Sequence, residues 1–355
     1  MSTEKNLIKR IIVKIGSSLI TGNGQGLDLT ALEEWTRQVS EIKQQRCEVI
    51  LVSSGAVAEG MLRLGWNKRP SMIHDLQAAA AVGQMGLIRA YEDAFQNLGL
   101  HTAQILLTHD DLSNRTRYLN ARSTLRTLID MNIVPIVNEN DSIATDEIKF
   151  GDNDTLAALV ANLVEADTLI ILTDQDGLFT GDPRASSDVV KVDIAEAGDP
   201  LLEKMATSNG STFGSGGMLT KLSAAKRAAR SGTHTVIANG KEKNILLRIV
   251  AGENIGTRLK TSKPVMTARK QWLSNHLQVR GSVTLDEGAI RAITLNHKSL
   301  LPIGVVAAEG DFYRGDVVTC TDKNGDVIAY GLINYNCKET NQIKGLSSEI
   351  IEETL

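Results

Sequence analysis

Apolar residues fall along the chain in two alternating rhythms. Six short runs are continuous in Val, Ile and Leu: "RIIVKIG" from Arg10, "CEVILVSSG" from Cys47, "TAQILLT" from Thr102, "NIVPIVNEN" from Asn132, "DTLIILTD" from Asp167 and "THTVIANG" from Thr233. Runs that do not alternate with polar residues predict strands buried on both faces. Between them lie stretches of helical period, from Leu29 to Arg46, Ser71 to Leu98, Arg115 to Asp130, Thr155 to Glu165 and Met218 to Arg230. Alternation of this kind over about 250 residues predicts an α/β fold, a three-layer αβα sandwich on a mostly parallel sheet.

The polar residues fall in telling places. The first run closes on Lys14, Gly16, Ser17 and Ser18, and the second on Ser53, Ser54 and Gly55. The fourth closes on Asn138, Glu139, Asn140 and Asp141, and the fifth on Thr173, Asp174, Asp176 and Gly177. Parallel strands share one carboxyl edge, where open sheets bind ligands. Any one of these ends reads equally as turn chemistry; four together predict a crevice.

A glycine-rich stretch, "FGSGGMLTKLSAAKRAA" from Phe213, opens the last of these helical patterns. Gly214, Gly216 and Gly217 leave backbone amides bare before a helix start, which favours an anion. The ATP-binding loop pattern G-x-x-x-x-G-K-[ST] is absent, because Lys221 lies four residues beyond Gly217 and no Ser or Thr follows it. A first-turn lysine opposes the helix dipole at a cost of about 0.3–1 kcal/mol, so Lys221 is either solvated or faces an anionic partner.

The net charge of −4 over 355 residues predicts no general affinity for nucleic acid or anionic lipid. No run approaches the roughly 18 apolar residues of a membrane span. Cys47, Cys320 and Cys337 lie far apart, with no metal-site spacing. These features predict a reduced, soluble, cytoplasmic protein. The six histidines share no motif. Two lysines from opposite ends of the chain, Lys14 and Lys221, with glycine-rich turns and carboxylates, suit phosphoryl transfer. An acceptor that is itself a carboxylate would need no general base, being ionised at pH 7.

The blocks "VKIGSS", "SSGAVAEG", "NENDSIATDEIKFGDNDTLAA", "LTDQDGLFTGDPR" and "GSGGMLTKLSAA" resemble, in order and spacing, the amino acid kinase family. Within it they are most similar to the branch that acts on the γ-carboxylate of L-glutamate. The resemblance implies ATP-dependent phosphorylation of L-glutamate in proline biosynthesis, with proline as feedback inhibitor, and a homo-oligomer, dimer or tetramer. It implies Lys14 and Lys221 as catalytic groups, and Ser54, Asp141 and Asn153 as glutamate-binding positions. It places ATP at Lys14, Thr173, Asp174, Ser215, Gly216, Gly217, Met218, Leu219, Thr220 and Lys221. ATP implies Mg²⁺, with Asp154 and Asp174 as the guesses for a protein ligand. Asn153 or Asp154 can instead cap the helix near Thr155. Activity on N-acetylglutamate or aspartate, or an inactive sensing or RNA-associated module, are the alternatives.

The kinase domain is expected to span 1–262. A polar linker containing Pro264 follows over 263–278, and a second domain over 279–355. There the pattern turns to short strands and glycine turns, with no helix-length apolar period until the end. "DEGA", "SLLPIGV", "FYRGDVV" and "GDVIAYG" resemble a PUA domain, a small β-barrel of RNA-modifying enzymes. Seven Lys and Arg against eleven Asp and Glu in 279–355 argue against RNA binding, which rests on phosphate neutralisation.

Overall fold

A computed structural model describes residues 8–22, 26–143, 153–181, 189–208, 217–262, 279–295, 298–347 and 350–351. The chain divides into two compact units, one formed by 1–113 and 120–270, the other by 114–119 and 271–355.

In the first unit the six expected strands form. They are β1 (Arg10–Ile15), β2 (Glu48–Val52), β3 (Thr102–Leu107), β4 (Val134–Glu139), β5 (Thr168–Thr173) and β9 (His234–Asn239). Four short ones join them: β6 (Leu178–Phe179), β7 (Lys191–Val192), β8 (Ile194–Glu196) and β10 (Thr257–Lys260). Eight strands make one sheet in the order β3-β4-β2-β1-β5-β9-β10-β8, while β6 and β7 form a separate pair. Every pairing from β3 to β9 is parallel, and β10 runs antiparallel to β9. Every residue of β4 and β5 is buried, as continuous apolar runs require.

The helices are α1 (Ser17–Ile20), α2 (Leu29–Gln44), α3 (Ala56–Arg63), α4 (Ile73–Gln96) and α5 (His109–Ser113). After these come α6 (Arg115–Asp130), α7 (Asn153–Val164), α8 (Pro200–Ser208), α9 (Met218–Ala229) and α10 (Ile245–Val250). The amphipathic α2 shows why such segments form. Asp28 caps it by accepting from the Ala31 amide, and Leu32, Trp35, Val39 and Ile42 line its buried face. In contrast α7 is buried almost all round. Helix α3 lay hidden in turn-like sequence. After Ser54 the chain turns at Gly55, with φ of 99°, directly into α3. There a Cβ on Gly60 would stand 1.7 Å from the Ala79 carbonyl oxygen of α4, so the two helices cross at backbone contact.

The second unit has a four-stranded sheet in the order β12-β11-β13-β14, from β11 (Val279–Leu285), β12 (Val305–Gly310), β13 (Val317–Thr321) and β14 (Val327–Leu332). One expectation is corrected here. A helix, α11 (Glu287–Thr294), interrupts the strands well before the terminal α12 (Cys337–Ile343). Asp286 caps it through the Ala289 amide, and Ala289, Ile290 and Ile293 pack on the sheet core around Val283, Leu285 and Phe312. Among the described residues no helix is long and apolar enough to cross a membrane.

Candidate active site

The neighbours β4, β2, β1 and β5 are parallel and adjacent, so the four polar strand ends do meet at one edge of the sheet. Lys14 lies one residue before the end of β1, between Val52 of β2 and Ile171 of β5. Its side chain reaches the first turn of α7, where Nζ stands 2.6 Å from Asp154 Oδ1. Lys221, in the first turn of α9, reaches the other oxygen, with Nζ 3.1 Å from Asp154 Oδ2. Thr220 Oγ1 is 2.9 Å from that same Oδ2. One carboxylate therefore holds two ammonium groups from widely separated parts of the chain.

All three groups are taken out of water: Lys14 is 5%, Asp154 2% and Lys221 5% exposed. Isolated charges in such a place would cost several kcal/mol each, so they persist only as a set. Burial alone would raise the Asp154 pKa; Lys14 and then Lys221 outweigh it and hold the carboxyl at about 2. Burial pulls the Lys221 ammonium below the usual lysine range, Asp154 opposes the fall and Lys14 adds to it. Asp154 was thus underread in the sequence, where it stood as a helix cap or a metal ligand. The two lysines were the available signal, because like charges brought to one buried point require a carboxylate between them.

A second polar layer lies beside the first. The Asn153 amide donates towards the Ser53 carbonyl at 2.9 Å, Ser54 Oγ at 2.9 Å and Asn138 Oδ1 at 3.1 Å. Asn138 in turn donates to Gln84 Oε1 of α4 at 2.7 Å, and its Oδ1 accepts from the Glu139 amide at 2.9 Å. The Asn153 side chain is therefore turned to the β2 and β4 ends. Three buried atoms on this network have no hydrogen-bond partner among the described residues: Asn153 Oδ1, Gln84 Nε2 and Glu139 Oε1. Each such atom costs about 1–3 kcal/mol, and native proteins keep few without a reason.

Asp141 follows β4 and lines a cleft of about 660 Å³ with Gln84, Glu139 and Gln104. Burial pushes its carboxyl up to about 7, Glu139 adds to the rise and Arg69 opposes it. The structure brings Lys14, Lys221, Ser54 and Asn153 together around Asp154. Asp141 lies apart from that cluster, in a cleft it shares with Gln84, which the Gln84–Asn138–Asn153 hydrogen bonds connect to Asn153. Thr173 ends β5 with its hydroxyl 3.2 Å from Asp174 Oδ1, and the exposed Asp174 is close enough to favour the Lys221 ammonium. Gly217, Met218, Leu219 and Thr220 open α9, where Met218 and Leu219 are buried. Ser215 and Gly216 lie outside the described residues, as does Gly214. Asn138 and Glu139 belong to the fourth polar strand end, expected at the crevice, whereas Gln84 of α4 escaped sequence reasoning, since its approach to them is purely tertiary.

Known proteins share this frame. The family model for the amino acid kinase family matches residues 9–239, and that for the PUA domain matches 281–355. The glutamate 5-kinase of Nitrosospira multiformis is 60% identical over 347 residues, 98% of this chain and 93% of that one. That of Chromobacterium violaceum is 58% identical over 346 residues, with the same coverage. Among solved structures, the UMP kinase of Bacillus anthracis superposes with a TM-score of 0.51 at 14% identity, covering 72% of this chain and 97% of that one, a likeness of fold alone. With the strand order, the two-lysine centre and these matches in agreement, the chain belongs to the amino acid kinase family and carries a C-terminal PUA domain.

Proposed function

We propose that the protein transfers the γ-phosphoryl group of ATP to the γ-carboxylate of L-glutamate, the opening step of proline biosynthesis. The observation that carries this reading is the buried Lys14–Asp154–Lys221 cluster at the strand ends, in a chain so similar to glutamate 5-kinases. The acceptor carboxylate is ionised at neutral pH, so no base has to remove a proton. What remains is to bring two anions together and to stabilise charge spread over the moving group. Lys14 and Lys221 supply that charge, and Asp154 fixes both ammonium groups in place before substrate arrives, so little reorganisation is left. The opening turn of α9 offers backbone amides and a positive helix end to nucleotide phosphate. Ser54 and Asn153 orient the acceptor, and Asp141 pairs with its ammonium.

Mg²⁺ does not fit Asp154, whose oxygens are taken by Lys14, Lys221 and Thr220. Among the described residues no group of three His, Cys, Asp or Glu side chains could hold a metal ion. Inhibition by proline, a cytoplasmic location and a homo-oligomeric state, dimer or tetramer, belong to the same reading. The PUA domain, with its excess of acidic residues, is assigned a structural or regulatory role rather than RNA binding.

An ATP-dependent hydroxamate assay across L-glutamate, L-aspartate and N-acetyl-L-glutamate tests the proposal. Product with L-glutamate, at the highest kcat/KM of the three, is expected. No product with it, or a preference for N-acetylglutamate, would overturn the reading.

Asp141 adds a pH dependence. With its carboxyl near 7, the group loses charge, and with it the pairing to an ammonium, as pH falls through 7. The kcat/KM for glutamate should drop about tenfold per unit below that point, because kcat/KM reports the free enzyme, while kcat stays nearly level. In Asp141→Asn this acid limb should vanish and KM for glutamate should rise at least about tenfold at pH 8. A limb that survives the substitution would assign it to another group.

A further inference from the structure

Three unpartnered buried atoms lie on one network, and only Asn153 Oδ1 sits beside the reaction centre. The other two, Glu139 Oε1 and Gln84 Nε2, belong to residues lining the Asp141 cleft, and both residues are at least nine-tenths buried. One is an anionic acceptor and the other a neutral donor. Their spare valences are those that a zwitterion satisfies, an ammonium against the carboxylate and a carboxylate against the amide. The remaining partners are already fixed. Gln84 Oε1 accepts from Asn138, which sets the amide orientation and turns Nε2 to the open bond. Glu139 Oε2 lies 3.8 Å from His109 Nδ1, so Oε1 is the oxygen left over.

We propose that Glu139 is a second ammonium-recognising carboxylate of the acceptor site, and with Gln84 makes the enzyme select a free α-amino acid over its N-acylated or deaminated analogues. The inference rests on the glutamate kinase reading above and deepens it. The covalent path supports the placement. Glu139 hangs from the end of β4, its amide bonded to Asn138 Oδ1, which accepts from the same Asn153 amide that meets Ser54. One hydrogen-bonded chain thus runs from Asn153, the sequence neighbour of Asp154, through Asn138 to Gln84 and Glu139 at the cleft. A five-carbon acceptor would lie along it, with its γ-carboxylate at the lysines and its α-carbon groups in the cleft. Glu139 also bears on Asp141, whose carboxyl it helps to push up, so two carboxylates there favour binding a cation between them. An N-acylated amine brings neither charge nor three donors, and leaves the buried Glu139 carboxylate without compensation.

The test measures kcat and KM for L-glutamate, N-acetyl-L-glutamate and glutarate in the full-length wild type, E139Q and Q84E. Each substitution keeps side-chain volume, and Q84E keeps the acceptor that Asn138 uses. Calorimetric titration of L-glutamate gives binding apart from turnover. In E139Q, KM and Kd for L-glutamate should rise at least about tenfold, KM for ATP should stay within about twofold, and kcat should fall less than KM rises. The preference for L-glutamate over glutarate should shrink by the same factor, which a merely structural role would not produce. Q84E should weaken L-glutamate binding comparably, by repelling its α-carboxylate. Unchanged KM and Kd in E139Q, or equal losses with L-glutamate and glutarate, would overturn the proposal. If E139Q fails to fold, Q84E decides it by a different reading: L-glutamate and glutarate share the carboxylate that Gln84 meets, so both should bind at least about tenfold more weakly, and unchanged Kd values would overturn the proposal. A wild type inactive on L-glutamate would instead sink the glutamate kinase reading itself, so the two failures are distinct.

Discussion

Replacing Asp154 with asparagine is expected to abolish turnover, by about 10³-fold or more in kcat, and to destabilise the protein by about 3–5 kcal/mol. Both effects have one origin. The carboxylate is the counter-ion of two buried ammonium groups, 2.6 and 3.1 Å away. Asparagine preserves the shape and one acceptor but removes the charge. Two like charges then face each other out of water, and the cheaper outcome is that one loses its proton. Lys221 is the candidate, because burial and Lys14 already pull its pKa down. A lysine with a lowered folded pKa binds fewer protons than in the unfolded chain, so stability should rise as pH is raised towards the unfolded lysine value. Denaturant melts of the variant at pH 7 and pH 9.5 check the sign. A variant as stable and as active as wild type would mean that the cluster is incidental.

Removing Lys221 should behave differently. In Lys221→Ala, Asp154 keeps Lys14 as its partner, so no unpaired charge is created and the fold should survive. The loss should fall on kcat, by about 10²–10³-fold, with KM for glutamate and ATP changed only a few-fold. An interaction that strengthens as charge develops on the moving phosphoryl group appears in the rate constant rather than in ground-state binding. Steady-state kinetics at saturating ATP give the comparison, and a rise in KM with kcat intact would make Lys221 a binding group only.

Much of this centre was legible in the sequence for a definite reason. The six long strands stood out because strands buried on both faces are written as unbroken Val, Ile and Leu runs. Their common carboxyl edge then follows from parallel order, which is how Lys14, Ser54, Asn138 and Thr173 could be placed together. Strands β8 and β10 carry no such run; "TRLK" at Thr257–Lys260 is a strand because β9 and β8 pair with it on either side. Helix α3 read as a turn, since Ser53, Ser54 and Gly55 are turn residues, and Gly60 is there for the crossing with α4 rather than for flexibility. Helix α11 did leave a trace, Asp286 as a cap before Ala289, Ile290 and Ile293, but the strand-rich neighbourhood obscured it. Asp154 was ambiguous because a first-turn aspartate serves equally well as a cap; only the approach of Lys14 and Lys221 across the sheet settles what it binds. Glu139 and Gln84 lie 55 residues apart on different elements, and no local pattern joins them.

The most direct measurement is a rapid-quench single turnover of wild type and Lys221→Ala at saturating ATP and L-glutamate, paired with calorimetric Kd values for both ligands. If the two lysines held by Asp154 stabilise the phosphoryl group in flight, the single-turnover rate should fall about 10²–10³-fold while both Kd values stay within about threefold. An unchanged single-turnover rate, or a loss found wholly in the Kd for ATP or glutamate, would contradict it.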